Sequence, residues 1–319
     1  MPRIKTKCMF CSMQDSFFLE EKPRSEGATF ARESQLWLEY DPEQVRGLCG
    51  RGNFCQELSV HPKRIFRARI GLDYAPIGKV ARDFAESLED IDGEKVAILL
   101  DGALTLEEVS KALALAEKIG TKLVAFLPAE DLAVVPFENS FNFDSIAESP
   151  ANVLIGDAFT NSPTVTRLVH DAAAMDRKHT AIGIDNTPSR TGWFSHPELV
   201  TSPGRVPELI ALLAEAVGGK STDDMPLKEL GVSPGDFGWA VSAIKDAGEK
   251  GNIIVSPAWH FVDAFAVCGA AKKLAEAVGA GFCVLPISTG TRGAYRLLDA
   301  AGCEMAKTYS AVVGGEVDA

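Results

Sequence analysis

The chain has 319 residues, of which 46% are hydrophobic and 24% charged, so it can bury the cores of two or three globular lobes and is not a collagen, a coiled coil or a disordered chain. Its 32 basic and 44 acidic residues give a net charge of −12, the wrong sign for binding phosphate backbones, so nucleic acid is not an expected partner. No apolar run reaches the roughly 18 residues of a membrane span, and the N-terminus lacks the apolar core of a signal peptide, so we expect a cytoplasmic protein without direct membrane insertion.

Residues 1–70 are predicted to form a small irregular domain with short strands, because they are rich in charged and aromatic side chains and show no long helical period. Four of the seven cysteines lie here: Cys8, Cys11, Cys49 and Cys55. An odd cysteine count without an export signal argues against a disulfide framework. A Cys-x2-Cys turn can direct two sulfur atoms at one centre, and a second pair from a distant loop completes four ligands. The spacing therefore predicts a zinc or iron–sulfur site rather than four packed thiols.

Residues 71–217 are predicted to form an αβα domain, because short apolar runs alternate there with longer amphipathic stretches. Thr105 can cap its first helix and Gly120 can end it. The predicted elements are strands at 95–100, 122–127, 152–155 and 180–184 and helices at 104–119, 164–175 and 206–217. This alternation is typical of a doubly wound parallel sheet.

Residues 218–319 are predicted to form a partial second αβα lobe that completes the scaffold, after a polar linker at 218–224. We expect the tail beyond residue 307 to be ordered only in part. The predicted elements are helices at 234–248, 259–278 and 292–301 and strands at 252–255 and 282–285.

Six segments, in order along the chain, carry a resemblance to a known family. They are 48–64, which contains Cys49 and the sequence His61-Pro62-Lys63-Arg64, and then 95–106, 154–163, 183–191, 202–204 and 285–294. They resemble the cluster segment, the first sheet strand and the loops of the molybdopterin oxidoreductase family, which includes formate dehydrogenases and the large iron–sulfur subunit of complex I. The resemblance implies an α/β fold, in which a small irregular iron–sulfur domain precedes doubly wound, Rossmann-like αβα lobes, and one [4Fe–4S] cluster.

The ligand set departs from the family pattern at one position. The family's third cluster cysteine corresponds to Asp15, so the ligands are Cys8, Cys11 and Cys49 together with either Cys55 or Asp15. We favour Cys55, because iron prefers thiolate to carboxylate. The family's lysine between cluster and pterin corresponds to Arg51, which either neutralises a reduced cluster or pairs with a surface carboxylate.

The pterin-binding segments depart further from the family. The turn Ser202-Pro203-Gly204-Arg205-Val206 lacks the family's first arginine and final carboxylate. Residues 128–150 offer no convincing ligand for molybdenum, and the family's large C-terminal domain has no counterpart in this sequence. We therefore expect a truncated member of the family without molybdopterin.

These inferences predict an electron-transfer and scaffold subunit of a multi-subunit cytoplasmic oxidoreductase, without a substrate site of its own. The expected partners, by analogy, are other redox subunits of the flavoprotein, ferredoxin-like, hydrogenase, formate dehydrogenase or heterodisulfide reductase type. Two alternatives stay open. One is a catalytic molybdenum or tungsten pterin subunit completed by a second chain, and the other is a structural subunit with zinc or no metal.

Of the remaining candidates, His61 is predicted to be a surface or packing residue and His260 a packing residue. The three later cysteines, Cys268, Cys283 and Cys303, are predicted to be small buried side chains. The apolar helix start at 259–265 is a candidate partner surface, although burial against its own sheet is the favoured interpretation.

Overall fold

The computed structural model describes residues 3–22, 35–44, 47–140, 142–176, 178–257 and 261–319. The predicted roles of Trp259 and His260 at a helix start therefore lie outside the described residues. The strands are β1 (Arg3–Lys7), β2 (Ser16–Lys22), β3 (Gln35–Tyr40), β4 (Arg69–Ile70), β5 (Asp73–Tyr74), β6 (Ile98–Asp101), β7 (Val124–Leu127), β8 (Ala151–Ile155), β9 (Thr180–Asp185), β10 (Glu198–Val200), β11 (Asn252–Val255) and β12 (Gly281–Val284). The helices are α1 (Gly50–Asn53), α2 (Ile77–Leu88), α3 (Leu106–Ile119), α4 (Ala158–Asn161), α5 (Pro163–Met175), α6 (Val206–Val217), α7 (Asp224–Leu230), α8 (Pro234–Ala247), α9 (Ala264–Val278), α10 (Thr291–Ala300) and α11 (Met305–Gly314).

The chain divides into two compact units. Unit 1 contains the described residues of Met1–Phe10, Gln14–Ala129 and Arg292–Ala319, and unit 2 contains Cys11–Met13 and Glu130–Thr291. Within the described ranges, no helix is long and apolar enough to cross a membrane.

Unit 1 begins with the short strands that the sequence predicts, arranged as an antiparallel sheet in the order β1-β2-β3. Successive side chains of a strand point to opposite faces. One face therefore carries Phe17 and Leu19, which join a small apolar cluster. The opposite face carries Phe18, on which the Arg3 guanidinium stacks with its carbon 3.8 Å from the ring centroid.

A second part of unit 1 pairs β6 with β7 in parallel. Thr105 and Glu108 form a reciprocal capping box at the start of α3, and Gly120 ends the helix with a positive φ of 84°. The cap and the stop of this helix are therefore as predicted.

The C-terminal tail is more ordered than the sequence predicts. It forms α11, which buries Met305, Thr308 and Ala311. The Tyr309 hydroxyl donates to the carbonyl of Phe126 at 2.5 Å. These contacts fix a segment whose composition alone gives little indication of order.

Unit 2 is built on a five-stranded sheet in the order β10-β9-β8-β11-β12, with every pairing parallel. Val153 and Ile155 enter one apolar cluster, whereas Leu154 enters another. Because both faces of the sheet are covered, its strands are mainly apolar rather than alternating. The predicted α/β class, with a doubly wound parallel sheet after a domain of short strands, is confirmed.

The sheet joins segments from both sides of the boundary predicted at residue 217. Strand β8 pairs with β11 in register, Asn152 opposite Asn252. The Asn252 side-chain amide donates to the Asn152 Oδ1 at 3.0 Å, and both residues are buried. Their mutual hydrogen bond satisfies two polar groups that would be costly to bury alone.

Candidate metal centre

The turn that joins β1 to β2 places Cys8 opposite Asp15. The two strands pair with Lys7 opposite Ser16, and the Cys8 amide donates to the Asp15 carbonyl at 2.8 Å, which extends the ladder by one pair. Side chains of a directly opposed antiparallel pair lie on the same face of the sheet, with Cβ atoms about 4.5–5.5 Å apart. Cys8 is 4% exposed and Asp15 is 3% exposed, so a thiol and a carboxyl share one buried face.

Helix α1 brings a second cysteine segment to Cys8. A Cβ added at Gly52 would lie 3.5 Å from the Cys8 sulfur and 3.2 Å from a Leu48 side-chain carbon. The contact with Leu48 is tighter than ordinary packing, whereas the distance to the Cys8 sulfur is an ordinary van der Waals contact, so Leu48 is the residue that restricts this position. Cys49 immediately precedes α1, and its carbonyl accepts from the Asn53 amide at 3.0 Å.

Two of the four predicted cysteine ligands meet in one cluster. Cys8 packs with Phe17 and Leu48, and the partly buried Cys55 lies against the same group. Cys49 is half-buried, whereas Cys11 is buried in a different cluster, which contains Met13 and Ile146. Cys8, Cys49 and Cys55 therefore lie around α1 in unit 1, and Cys11 belongs to unit 2.

A site for a single metal ion needs several donor side chains that converge on one point. Across the described ranges, no three His, Cys, Asp or Glu side chains converge as ligands of a single metal ion would. An iron–sulfur cluster makes a different demand, because each thiolate binds a different iron and the sulfur atoms stand further apart. The thiols of Cys8 and Cys55, which lie in one packed cluster, are the donor type that such a group uses.

The other candidates near this centre are exposed. Arg51 lies on α1 beside the buried Gly52, and its side chain is in solvent. If a cluster is bound, the guanidinium would face it from the solvent side. His61 is also exposed, and its Nδ1 accepts from the Lys63 amide at 3.2 Å, which agrees with its predicted surface role.

A polar network supports the opposite face of the sheet. Lys5 Nζ lies 2.8 Å from Asp41 Oδ2, and the Ser16 hydroxyl donates to the same oxygen at 2.6 Å. The hydrogen bond from Lys5, followed by that from Ser16, lowers the pKa of Asp41 to about 2. Because Ser16 directly follows Asp15, this network anchors the start of β2 beside the candidate centre.

In unit 2, the turn at 202–206, which resembles a pterin-binding turn, is held by hydrogen bonds from Arg205. Arg205 donates from Nε and Nη2 to the Glu208 carboxylate at 2.8 Å and 2.7 Å, and from Nη1 to the Glu229 carbonyl at 2.8 Å. Its guanidinium is thus already neutralised by a carboxylate.

Asp131 is an important residue that sequence reasoning missed. It is fully buried, and its carboxylate accepts from the amides of Ile287 and Ser288 and from the Thr291 hydroxyl at 2.7, 3.0 and 2.5 Å. Burial raises the pKa of Asp131, and the hydrogen bond from Thr291 opposes the rise. The carboxylate therefore holds the backbone of residues 287–291 in place through hydrogen bonds.

The remaining cysteines are placed largely as predicted. Cys268 and Cys283 are fully buried in the core of unit 2. The prediction of burial is wrong for Cys303, which is half-buried in the turn after α10. Partial burial raises the pKa of the Cys303 thiol, and the charge of Lys122 opposes the rise.

Comparison with known proteins identifies the fold. No family model matches the chain, and no curated protein matches it. Sixty-four chains of solved structures do match, among them acetylene hydratase from Pelobacter acetylenicus, with a TM-score of 0.61 at 14% sequence identity. The match covers 86% of this chain and 43% of that chain, so this chain spans less than half the length of that protein. The likeness shows that this chain shares the fold of the matching part of that protein, and at this identity it shows the fold alone.

Proposed function

We propose that this chain is an electron-transfer and scaffold subunit of a cytoplasmic multi-subunit oxidoreductase, and that it holds one [4Fe–4S] cluster without molybdopterin chemistry of its own. The observation that carries the proposal is the convergence of two distant cysteine segments: Cys8 and Cys55 lie in one packed cluster, and Cys49 directly precedes α1. Thiolates that come together from separate segments are the ligands that an iron–sulfur cluster requires.

The proposed ligands are Cys8, Cys11 and Cys49, with Cys55 or Asp15 as the fourth. Two observations support a shared centre. Cys8 and Cys55 belong to one packed cluster although they are far apart in the chain, and Asp15 is the ladder partner of Cys8. When bound, such a cluster accepts and returns one electron at a time. Arg51 would supply a positive charge at the outer side of the site and so favour the reduced, more negative state.

The absence of pterin chemistry is proposed from the loops of unit 2. Arg205, in the turn that resembles a pterin-binding turn, already pairs with Glu208 through two hydrogen bonds. A cation neutralised by a carboxylate adds little to the binding of an anionic cofactor, because the existing pair must first be broken. The partners remain those proposed from the sequence, namely other redox subunits.

Low-temperature electron paramagnetic resonance of the anaerobically purified, chemically reduced protein tests the ligand set. We expect a cluster signal that Cys49→Ser removes. The matched control is Cys303→Ser, which changes a half-buried cysteine outside the site and should leave the signal intact. A signal that survives Cys49→Ser would overturn the assignment.

The same measurement distinguishes the fourth ligand. If Cys55 is the ligand, Cys55→Ser removes or shifts the signal and Asp15→Asn leaves it unchanged; the reverse pattern assigns Asp15. Circular dichroism should show that all four variants keep the fold of the sheets, so that loss of signal reports loss of a ligand rather than unfolding.

A further inference from the structure

The segment that follows the candidate metal centre concentrates positive charge in a chain whose net charge is −12. Lys63, Arg64, Arg67 and Arg69 stand close together in sequence, and all four side chains are exposed. Among the residues that the structure describes, no carboxylate forms an ion pair with any of them. Within the described part of the chain, the charges of these four side chains are therefore not neutralised by a carboxylate, and a guanidinium or ammonium group in this state can bind an anion.

A short hairpin orients two of these cations. Strands β4 and β5 pair with Arg69 opposite Tyr74, and Gly71 makes the turn with a positive φ of 59° that favours glycine. The Arg69 guanidinium lies over the Tyr74 ring, 4.6 Å from its centroid, and its Nη2 donates to the Tyr74 hydroxyl at 2.9 Å. Arg67 lies over the same ring at 5.6 Å. One aromatic ring thus holds two guanidinium groups side by side.

Two adjoining clefts surround this ring. The first, with a volume of about 560 Å³, is lined by all four cations together with Phe66 and Tyr74. The second, of about 460 Å³, is lined mainly by apolar groups, namely Phe66, Tyr74, Ala75, Pro76 and Ile77. Among the residues that the structure describes, none that lines either cleft carries a carboxylate. Both volumes fall in the range of small-molecule sites.

The side chains between the two clefts favour a ligand with two different ends. Phe66, Arg67 and Tyr74 line both clefts. Phe66 and Ile77 are 66% and 75% exposed, so large apolar surface faces water beside the guanidinium groups. A ligand that covers this surface while it meets the cations removes apolar area from water and pairs the charges in one binding event.

We propose that residues 62–77 form a binding site for a small organic anion, with a phosphate or carboxylate at one end and a planar or apolar group at the other. The forks of Arg67 and Arg69 bind the anionic end, because a guanidinium matches both carboxylate and phosphate oxygens. Phe66, Tyr74 and Ile77 contact the apolar end. The site belongs to the hairpin and is separate from the proposed cluster ligands.

Isothermal titration calorimetry at low ionic strength, with defined probes, tests the proposal. The probes are 1-naphthyl phosphate, 1-naphthoate, inorganic phosphate and 1-naphthol. We expect one of the two naphthyl anions to bind at least about tenfold more tightly than both inorganic phosphate and 1-naphthol, since each end of the probe adds binding free energy. Preference for the phosphate or the carboxylate probe then identifies the anionic group of the ligand.

Charge-neutral variants assign the binding to this site. Arg67→Gln with Arg69→Gln should weaken the preferred probe at least about tenfold. The matched control, Lys111→Gln with Lys118→Gln, removes two exposed cations of α3 and should leave the affinity unchanged. Tyr74→Phe keeps the ring and removes the hydroxyl that orients Arg69, so it should give an intermediate loss.

Three results would overturn the proposal. The first is that neither naphthyl anion binds, and the second is that inorganic phosphate binds as well as the preferred naphthyl anion. The third is an equal affinity of the double arginine variant and the double lysine control. All substitutions are at exposed positions, so the variants should fold, and matching thermal unfolding midpoints would confirm that a loss of affinity is local.

Discussion

Replacing Gly52 with valine tests how closely α1 packs against Leu48 and Cys8. A Cβ at this position would lie 3.2 and 3.3 Å from Leu48 carbons and 3.5 Å from the Cys8 sulfur. Because the branches of valine extend into this occupied space, we expect a loss of about 1–3 kcal/mol in the free energy of unfolding. The higher helix propensity of valine than of glycine returns only about 0.4 kcal/mol.

The same helix supplies the control, Gly50→Val, because a Cβ at Gly50 has nothing within 4 Å. With a urea dependence of about 2 kcal/mol per molar, a loss of about 2 kcal/mol at position 52 should lower the unfolding midpoint by about 1 M. The valine at position 50 should leave the midpoint almost unchanged. Equal midpoints for the two variants would refute the close packing around Gly52.

Three further changes test the packing and electrostatics. The pKa of Asp41 is lowered from 3.8 to about 2, so its charge stabilises the fold above pH 4, and this stabilisation is lost as the pH falls towards 2. The thermal unfolding midpoint of Asp41→Asn should lack this pH dependence. A variant whose midpoint depends on pH as the unchanged protein's does would contradict the ion pair and hydrogen bond assigned to Asp41. Asp131→Asn places an amide N–H against backbone donors, so chemical unfolding should show that the free energy of unfolding falls by about 2–4 kcal/mol. A fall below about 0.5 kcal/mol would mean that the fold does not need the carboxylate. Thr105→Ala removes the cap of α3 and should cost about 1 kcal/mol by the same assay, with a neutral result arguing against the capping box.

The elements that sequence predicted best are those with a strong local pattern. The helix at Val206–Val217 and the strand at Asn252–Val255 have the predicted bounds, because periodicity and flanking glycine mark both. Helix α2 was missed, although its apolar residues recur at helical spacing, since none of its side chains is buried and the neighbouring sequence is charged. Strand β10 has only three residues, too few for a period to be recognised.

Long-range pairing was outside the reach of local patterns. The sequence pattern predicts separate lobes at 71–217 and 218–319, yet strand β8 of the first range and strand β11 of the second pair in one sheet. Their pairing depends on the register between Asn152 and Asn252, 100 residues apart. Periodicity identifies each strand but contains no information about which strand is its neighbour.

At the candidate centre too, local spacing predicted some features, whereas others depend on long-range pairing. Cysteine spacing predicted a shared site, and the structure brings Cys8 and Cys55 into one cluster, but only the register of the hairpin reveals that Asp15 is the ladder partner of Cys8. Asp131 could not be identified from its neighbours, because the amide donors that justify its burial come 156 and 157 residues later. A buried carboxylate is visible only when its distant donors are in place.

Metal analysis of the anaerobically purified protein, for iron, zinc, molybdenum and tungsten together, determines whether the chain holds an iron–sulfur cluster without a pterin metal. We expect about four irons per chain, with neither molybdenum nor tungsten. Molybdenum or tungsten near one per chain would instead indicate a catalytic pterin subunit and contradict the proposed function. Zinc alone or no metal would indicate a structural subunit and contradict it as well.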